Sequence, residues 1–180
     1  MTLPTDLPNV FEFLSALGQA LSNERVYHLW LDLTLMVMLT VHGMFVMMLT
    51  VIFHAVVDKY LKPGAMLMSS LLYFIFINLI FTSHVLDILT WTYITIYLQA
   101  VPEGGAINAY YFVGEMYTTL GFGSFKVNPE WRTLPILIAM SGILSSAISG
   151  AALYSMLNAL LLNKKLPLEN IKKNSPALSA

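Results

Sequence analysis

The sequence predicts an all-α membrane protein with three transmembrane helices and one short, re-entrant helix between the second and the third. Hydrophobic residues make up 57% of the 180 residues and charged residues only 11%, whereas about 25% of the residues in soluble domains are charged. No Asp, Glu, Lys or Arg occurs in residues 33–57, 63–86 or 133–163. Each run exceeds the ~20 residues that a helix needs to cross a hydrocarbon core ~30 Å thick. A water-soluble globular domain is therefore excluded.

The chain ahead of the first crossing, residues 1–27, is predicted to be an extracytoplasmic segment with a short amphipathic helix at 9–22. Asn9 followed by Glu12 has the spacing of a capping box, and apolar residues then recur on one helical face. The N-terminus lacks the basic start and short apolar core of a cleavable signal peptide. We therefore expect the first apolar span to serve as an uncleaved insertion signal.

The first two crossings are predicted from the uncharged runs and from the helix breakers between them. The first span covers residues 30–57, and Pro63 and Gly64 lie in the loop that follows it. The second apolar stretch, residues 66–99, is longer than one perpendicular crossing requires. It is therefore expected to tilt, to protrude from the membrane or to break near residues 84–87.

Two further apolar stretches follow. Residues 109–119 are too short to cross the membrane, whereas residues 133–163 form a last full crossing. Lysines in the loop at 58–66 and in the tail at 164–180 mark the cytoplasmic side. If the segment at 105–130 enters the membrane and returns, three crossings place both basic segments in the cytoplasm and the N-terminus outside. We expect a multi-pass protein of the plasma membrane.

Composition and motifs argue against several other classes of protein. The formal net charge of −1 argues against a nucleic-acid binder, which would present a basic face. The absence of cysteine excludes disulfides, iron–sulfur clusters and thiol catalysis. The sequence has no P-loop, GxSxG or HExxH motif and no acidic pair on a soluble face. No enzyme activity is therefore expected.

The four histidines do not predict a bound cofactor. His28 and His42 share a helical face at a spacing that membrane cytochromes b use for haem. A two-haem site needs a matching pair on a second helix, where only His84 is present. Polar contacts between helices are the default expectation for His42 and His54. No resident cofactor or metal is expected.

Residues 119–123, with the sequence TLGFG, carry the most chemical information. Glycines at alternate positions allow left-handed backbone conformations that other residues adopt only at a cost, and this alternation points successive carbonyl oxygens to one side. Four copies around an axis would stack rings of oxygens that replace the water shell of a dehydrated cation. Irregular backbone at membrane depth is tolerated only when it is buried in protein or faces a water-filled cavity.

This stretch resembles the selectivity filter of the potassium-channel pore-domain family, whose pattern is T-[VIL]-G-[YF]-G. The matching residues are Thr119, Leu120, Gly121, Phe122 and Gly123. The preceding AYYFVGEMYTT resembles the family's pore helix, and the resemblance covers residues 67–163 with both flanking spans. It implies a passive, potassium-selective channel subunit with K⁺ as the permeant ion and no cofactor. Because one chain supplies one quarter of the filter, it also implies a homotetramer in the lipid bilayer.

The same resemblance implies residues that support the filter. Glu115 matches a pore-helix glutamate of some simple bacterial channels and of inward rectifiers, and Thr118 directly precedes the filter. The family usually has Asp after the last filter glycine, whereas this chain has Ser124. Lys126 is close enough in sequence to replace that carboxylate as the partner of Glu115. Double-mutant coupling near zero between Glu115 and Lys126 would argue against this pairing.

The last span carries a candidate hinge and two rows of small residues. Gly142 lies close to the position of the family's hinge glycine, where it would allow the inner helix to bend. One row contains Gly142, Ser146 and Gly150, and the other contains Ser141, Ser145 and Ser149. Close packing between helices explains either row. Alternatively, the serine row lines a water-filled cavity.

His84 and Asp87 form a second candidate site. They lie three residues apart on one helical face, and ionisable groups inside a span are functional candidates. They are expected to pair with each other, to sense pH or to lie next to the pore helix of a neighbouring subunit. A position of Asp87 at the outer interface is the remaining alternative.

Four segments are therefore predicted. They are an extracytoplasmic segment at 1–27, an extra transmembrane helix with a cytoplasmic loop at 28–66, a channel-like pore domain at 67–163 and a short basic cytoplasmic tail at 164–180. Two alternative functions remain open: an accessory or scaffold subunit that serves an unknown membrane partner, and a weakly selective cation channel. Co-purification with a larger complex would favour the scaffold, and a homotetramer would favour either channel.

Overall fold

The computed structural model describes residues 25–61, 66–102, 105–123 and 125–174, and the regular elements in these residues are helices. They are α1 (Arg25–Tyr60), α2 (Met66–Tyr97), α3 (Ala106–Tyr117), a short 3₁₀-helix (Pro129–Trp131) and α4 (Leu134–Asn174). The predicted amphipathic helix at 9–22 lies outside the described residues, as does Ser124.

Three stretches of helix are long and apolar enough to cross a membrane. They are Leu29–Tyr60, Leu67–Tyr97 and Pro129–Leu162. Large apolar side chains such as Met44, Phe74 and Ile143 are exposed on the surface of the single chain, as expected for helices that are apolar on all sides and lie in a membrane. The prediction of an all-α chain with three helices of membrane-spanning length is confirmed.

α2 runs unbroken through residues 84–87, so the break that was one expectation for this stretch does not occur. The helix contains no Gly or Pro that would interrupt it. The helix ends at Tyr97, and Gln99 in the turn that follows it has a φ of 50°. There, the Gln99 amide donates to the Ile96 carbonyl and the Ala100 amide donates to the Thr95 carbonyl. This is the Schellman arrangement that ends many helices.

α3 is too short to cross a membrane. Its 12 residues rise only ~18 Å at ~1.5 Å per residue, compared with the ~30 Å of a hydrocarbon core. The helix packs against both α2 and α4 and buries Phe112, Val113 and Tyr117. The chain beyond it returns to the end of α2, where the Asn128 amide donates to the Ala100 carbonyl at 2.9 Å.

Two apolar clusters hold the helices together, with polar side chains between them along each span. The buried residues of the first cluster include Leu35, Trp91, Phe112, Leu134 and Ile138. Those of the second include Leu49, Phe53, Phe76, Ile80 and Met156. His42 on α1, His84 on α2 and Ser149 on α4 each fall between the two clusters along their helix. The structure therefore has a polar layer near the middle of its three candidate spans.

Candidate functional site

The loop after α3 has an alternating backbone conformation. Thr119, Gly121 and Gly123 have φ values of 60°, 55° and 72°, whereas Leu120 and Phe122 do not have positive φ. A positive φ is unusual for a β-branched residue such as threonine, and backbone strain of this kind is concentrated at functional sites. The alternation that the glycine spacing predicts is therefore present in this loop.

The last turn of α3 fixes the start of the loop. The Glu115 carbonyl accepts hydrogen bonds from the Leu120 amide at 2.9 Å and from the Gly121 amide at 3.4 Å. The Thr118 hydroxyl donates to the Gly114 carbonyl at 2.6 Å. Carbonyl groups at a helix end have no partner within the helix, so these bonds satisfy them and hold the loop against α3.

The side chains of the loop are not covered by their own chain. Leu120 is 61% exposed and Phe122 is 67% exposed. Glu115 on α3 is buried at 4% exposure, whereas Lys126 beyond the loop is exposed. The predicted ion pair would therefore link a buried carboxylate to an exposed lysine. This pairing stays a prediction.

Gly142 lies where α4 meets the end of α3. A Cβ atom at this position would be 1.9 Å from the Tyr117 carbonyl oxygen and 2.8 Å from its carbonyl carbon. Because these are backbone atoms, they cannot move aside as the end of a flexible side chain would. The glycine therefore permits the close approach of the two helices. α4 is continuous through Gly142, and the hinge stays a prediction beside this packing role.

The serine row of α4 does not line an open cavity in this chain. Ser141, Ser145 and Ser149 are 2%, 2% and 4% exposed. Ser141 accepts a hydrogen bond from Trp91 Nε1 at 2.8 Å, and Ser145 shares one with the Tyr117 hydroxyl. The row faces inward because polar groups on the other helices supply its hydrogen-bond partners. Packing between helices replaces the cavity-lining interpretation.

Five polar side chains from four helices form a closed set of contacts, which we call the polar ring. His42 Nδ1 lies 2.7 Å from Asp87 Oδ2, and the Tyr117 hydroxyl donates to the same oxygen at 2.9 Å. His84 Nδ1 lies 2.9 Å from the Tyr117 hydroxyl. Ser149 Oγ lies 3.1 Å from His42 Nε2 and 3.0 Å from His84 Nε2. The ring joins α1, α2 and α4 to the end of α3.

The sequence analysis predicts two members of the polar ring as one site. It does not place the other three members in that site. His84 and Asp87 are predicted, and the contacts described for the ring join them through Tyr117. His42 makes the contact between helices that was expected of it, and its central position in an uncharged span is a signal for the site. His54 instead lies 2.8 Å from the Thr50 carbonyl of its own helix. No sequence signal singles out Tyr117.

Three members of the polar ring are also a candidate metal-binding site. Within the described part of the chain, His42, His84 and Asp87 offer atoms within 4.8 Å of one another, a grouping able to hold a metal ion. Ligands ~2.0 Å from a tetrahedral zinc ion would lie ~3.3 Å from one another. His42 Nδ1 and Asp87 Oδ2 lie only 2.7 Å apart, closer than two ligands of one zinc ion, and the other contacts of the ring have the lengths of hydrogen bonds. The geometry favours a hydrogen-bonded network.

Replacing Ser149 with alanine is expected to destabilise the protein by about 2 kcal/mol. The change removes the shared partner of two imidazole nitrogens, and a buried polar group left unsatisfied costs ~1–3 kcal/mol. Ser146→Ala is the matched control, because Ser146 is exposed on the same helix and its loss should change stability by no more than ~0.5 kcal/mol. Unfolding in detergent micelles measures both variants, and equal midpoints would contradict the expectation.

No family model, curated protein or solved structure matches this chain.

Proposed function

We propose that the protein is a passive, potassium-selective channel subunit in which residues 119–123 coordinate the permeant ion. The alternation of φ between positive and non-positive values along this loop carries the proposal. Such an alternation turns neighbouring peptide planes so that their carbonyl oxygens point to the same side. Rings of these oxygens can replace the hydration shell of a K⁺ ion.

The channel requires several copies of the chain, because one loop supplies only one side of an ion path. We propose four copies around an axis. The exposure of Leu120 and Phe122 supports this assembly, since neighbouring copies would cover these apolar side chains. The C-terminal end of α3 lies next to the loop, and the partial negative charge of a helix C-terminus favours a cation there.

The remaining predicted roles belong to the same proposal. Glu115 braces the filter with Lys126 as its partner, and Gly142 lets the inner helix bend. The channel lies in the plasma membrane with its N-terminus outside. The lysines of the 58–66 loop and of the C-terminal tail support this orientation.

Ion uptake into proteoliposomes tests the proposal. The purified protein should form a homotetramer and take up K⁺ faster than Na⁺, and Ba²⁺ should block the uptake because it competes for the same oxygens. Equal uptake of K⁺ and Na⁺ would contradict selectivity and indicate a weakly selective cation channel. A folded protein that shows no uptake and purifies with a larger membrane complex would indicate a scaffold subunit.

A further inference from the structure

The polar ring contains more contacts than protons in its simplest ionisation state. With both imidazoles neutral and the carboxylate ionised, each imidazole, the Tyr117 hydroxyl and the Ser149 hydroxyl carry one proton, which gives four. The ring has five contacts between polar atoms. Four of them are hydrogen bonds, and each of these needs one proton between its two heavy atoms. The fifth, between His42 Nδ1 and Asp87 Oδ2, is a charge contact without hydrogen-bond geometry. It also needs a proton on one side to be attractive, so this state is one proton short.

The contact at which the missing proton falls depends on which nitrogen of a neutral His42 carries its proton. Tyr117 donates to Asp87. His84 Nδ1 then donates to Tyr117, Ser149 donates to His84 Nε2, and a neutral His42 donates to Ser149 through Nε2. His42 Nδ1 would then present a lone pair 2.7 Å from the carboxylate oxygen. Two such atoms repel each other. If a neutral His42 instead carries its proton on Nδ1, Ser149 faces a lone pair on both Nε2 atoms and has only one proton to donate. One further proton removes the shortage in either tautomer.

The location of the ring inside the candidate spans also requires an additional positive charge. His42 is 3% exposed, and the ring lies near the middle of the candidate spans. Asp87 is partly buried, with 15% of its side chain exposed. A carboxylate inside a membrane-spanning helix is costly without a counter-charge, and residues 33–57, 63–86 and 133–163 contain no Lys or Arg. The ionisable groups facing one another are His42 on α1, His84 and Asp87 on α2 and Tyr117 on α3, while α4 contributes the hydroxyls of Ser145 and Ser149. One additional proton makes the net charge of this group zero.

We propose that the polar ring is a proton-binding site, which holds one proton beyond two neutral imidazoles and an ionised carboxylate. With the proton on His42, the imidazolium forms an ion pair with Asp87 and donates to Ser149, so every contact is attractive. If the His42 Nε2 proton passes to Ser149 Oγ while the Ser149 proton passes to His84 Nε2, the imidazolium moves to His84. Every contact is again attractive, so Ser149 is a relay between the two histidines.

This inference goes beyond the proposed channel function and does not depend on it. Tyr117 is the last residue of α3. The proton-binding site therefore contacts the three candidate spans and also the short helix that precedes the loop. An ion-flux measurement would not reveal the site, and the test counts protons directly.

The test uses the full chain in lipid bilayers at neutral pH, with imidazole nitrogens labelled with ¹⁵N. A His28→Gln/His54→Gln background leaves only His42 and His84 to observe. Solid-state NMR counts the protonated ring nitrogens, and the infrared difference between this protein and its Asp87→Asn variant reports whether the carboxyl is protonated. The proposal predicts three protons in total over the two imidazoles and the carboxyl. A total of two or of four would overturn it.

The Asp87→Asn variant provides a second readout on the imidazoles. An asparagine amide is neutral, so this variant has no carboxylate charge for an imidazolium to balance. Both imidazoles should therefore become neutral, and an imidazolium that remains in this variant would overturn the proposal. Ser146→Ala, outside the ring, should leave the proton count unchanged. Elemental analysis accompanies the NMR sample, and a stoichiometric divalent metal would overturn the assignment of the charge to a proton.

Discussion

Gly142→Ala is expected to destabilise the protein more than the same change at any other glycine that the structure describes. The new Cβ would lie 1.9 Å from the Tyr117 carbonyl oxygen, so the end of α3 and α4 must move apart. Overpacking of this kind costs ~1–3 kcal/mol and occasionally more, and we expect a loss of about 3 kcal/mol. The movement would also displace the loop that begins at Thr118. Thermal unfolding in detergent measures the loss.

Gly150→Ala is the matched control on the same helix. A Cβ at Gly150 meets no atom within 4 Å of the single chain, and alanine is favoured over glycine within a helix by up to ~1 kcal/mol. This variant should therefore be at least as stable as the parent. If the two variants had the same stability, the close contact between α3 and α4 would not exist as described.

Gly121→Ala is expected to abolish Ba²⁺-sensitive K⁺ uptake while the protein remains folded. A Cβ at Gly121 has open space within the single chain, so the cost arises from its φ of 55°. An L-residue in this conformation costs ~1–2 kcal/mol, which is small against total stability. A return of this residue to negative φ would turn the peptide plane and remove one carbonyl oxygen per chain from the ion path. Proteoliposome uptake measures this loss.

Gly114→Ala separates the effect of conformation from that of added volume. Its Cβ would also meet nothing within 4 Å, but Gly114 lies within α3 and its φ is not positive. This variant should therefore keep its K⁺ uptake. Equal uptake by the two variants would mean that the left-handed conformation at Gly121 does not matter for conduction.

The helices could be predicted well because their signal is local. Three uncharged runs are each longer than a membrane crossing, and each corresponds to a candidate span. The helix ends are less well predicted. The first span was expected at 30–57, whereas α1 covers Arg25–Tyr60. The last was expected at 133–163, whereas α4 covers Leu134–Asn174. Residues beyond the apolar core remain helical because a helix satisfies its own backbone hydrogen bonds whether or not lipid surrounds it.

The polar ring could not be assembled from the sequence, because it depends on how the helices are rotated against one another. His42 and Ser149 are separated by 107 positions. In helices that are apolar on all sides, periodicity does not show which face turns inward. The serine row had two interpretations for this reason. In the structure, α4 packs against α3. Trp91 on α2 donates to the Ser141 hydroxyl, and the Ser145 hydroxyl shares a hydrogen bond with Tyr117 on α3. These contacts favour packing.

A crystal structure of the assembled protein grown with thallium, a heavy analogue of K⁺, tests the central claim most directly. We predict four chains around an axis, with anomalous density on that axis between the carbonyl oxygens of residues 119–123. Glu115 should lie behind the loop and away from the ions. Loops that do not surround a common axis, or an axis without ion density at these oxygens, would contradict the account of this protein as a potassium channel.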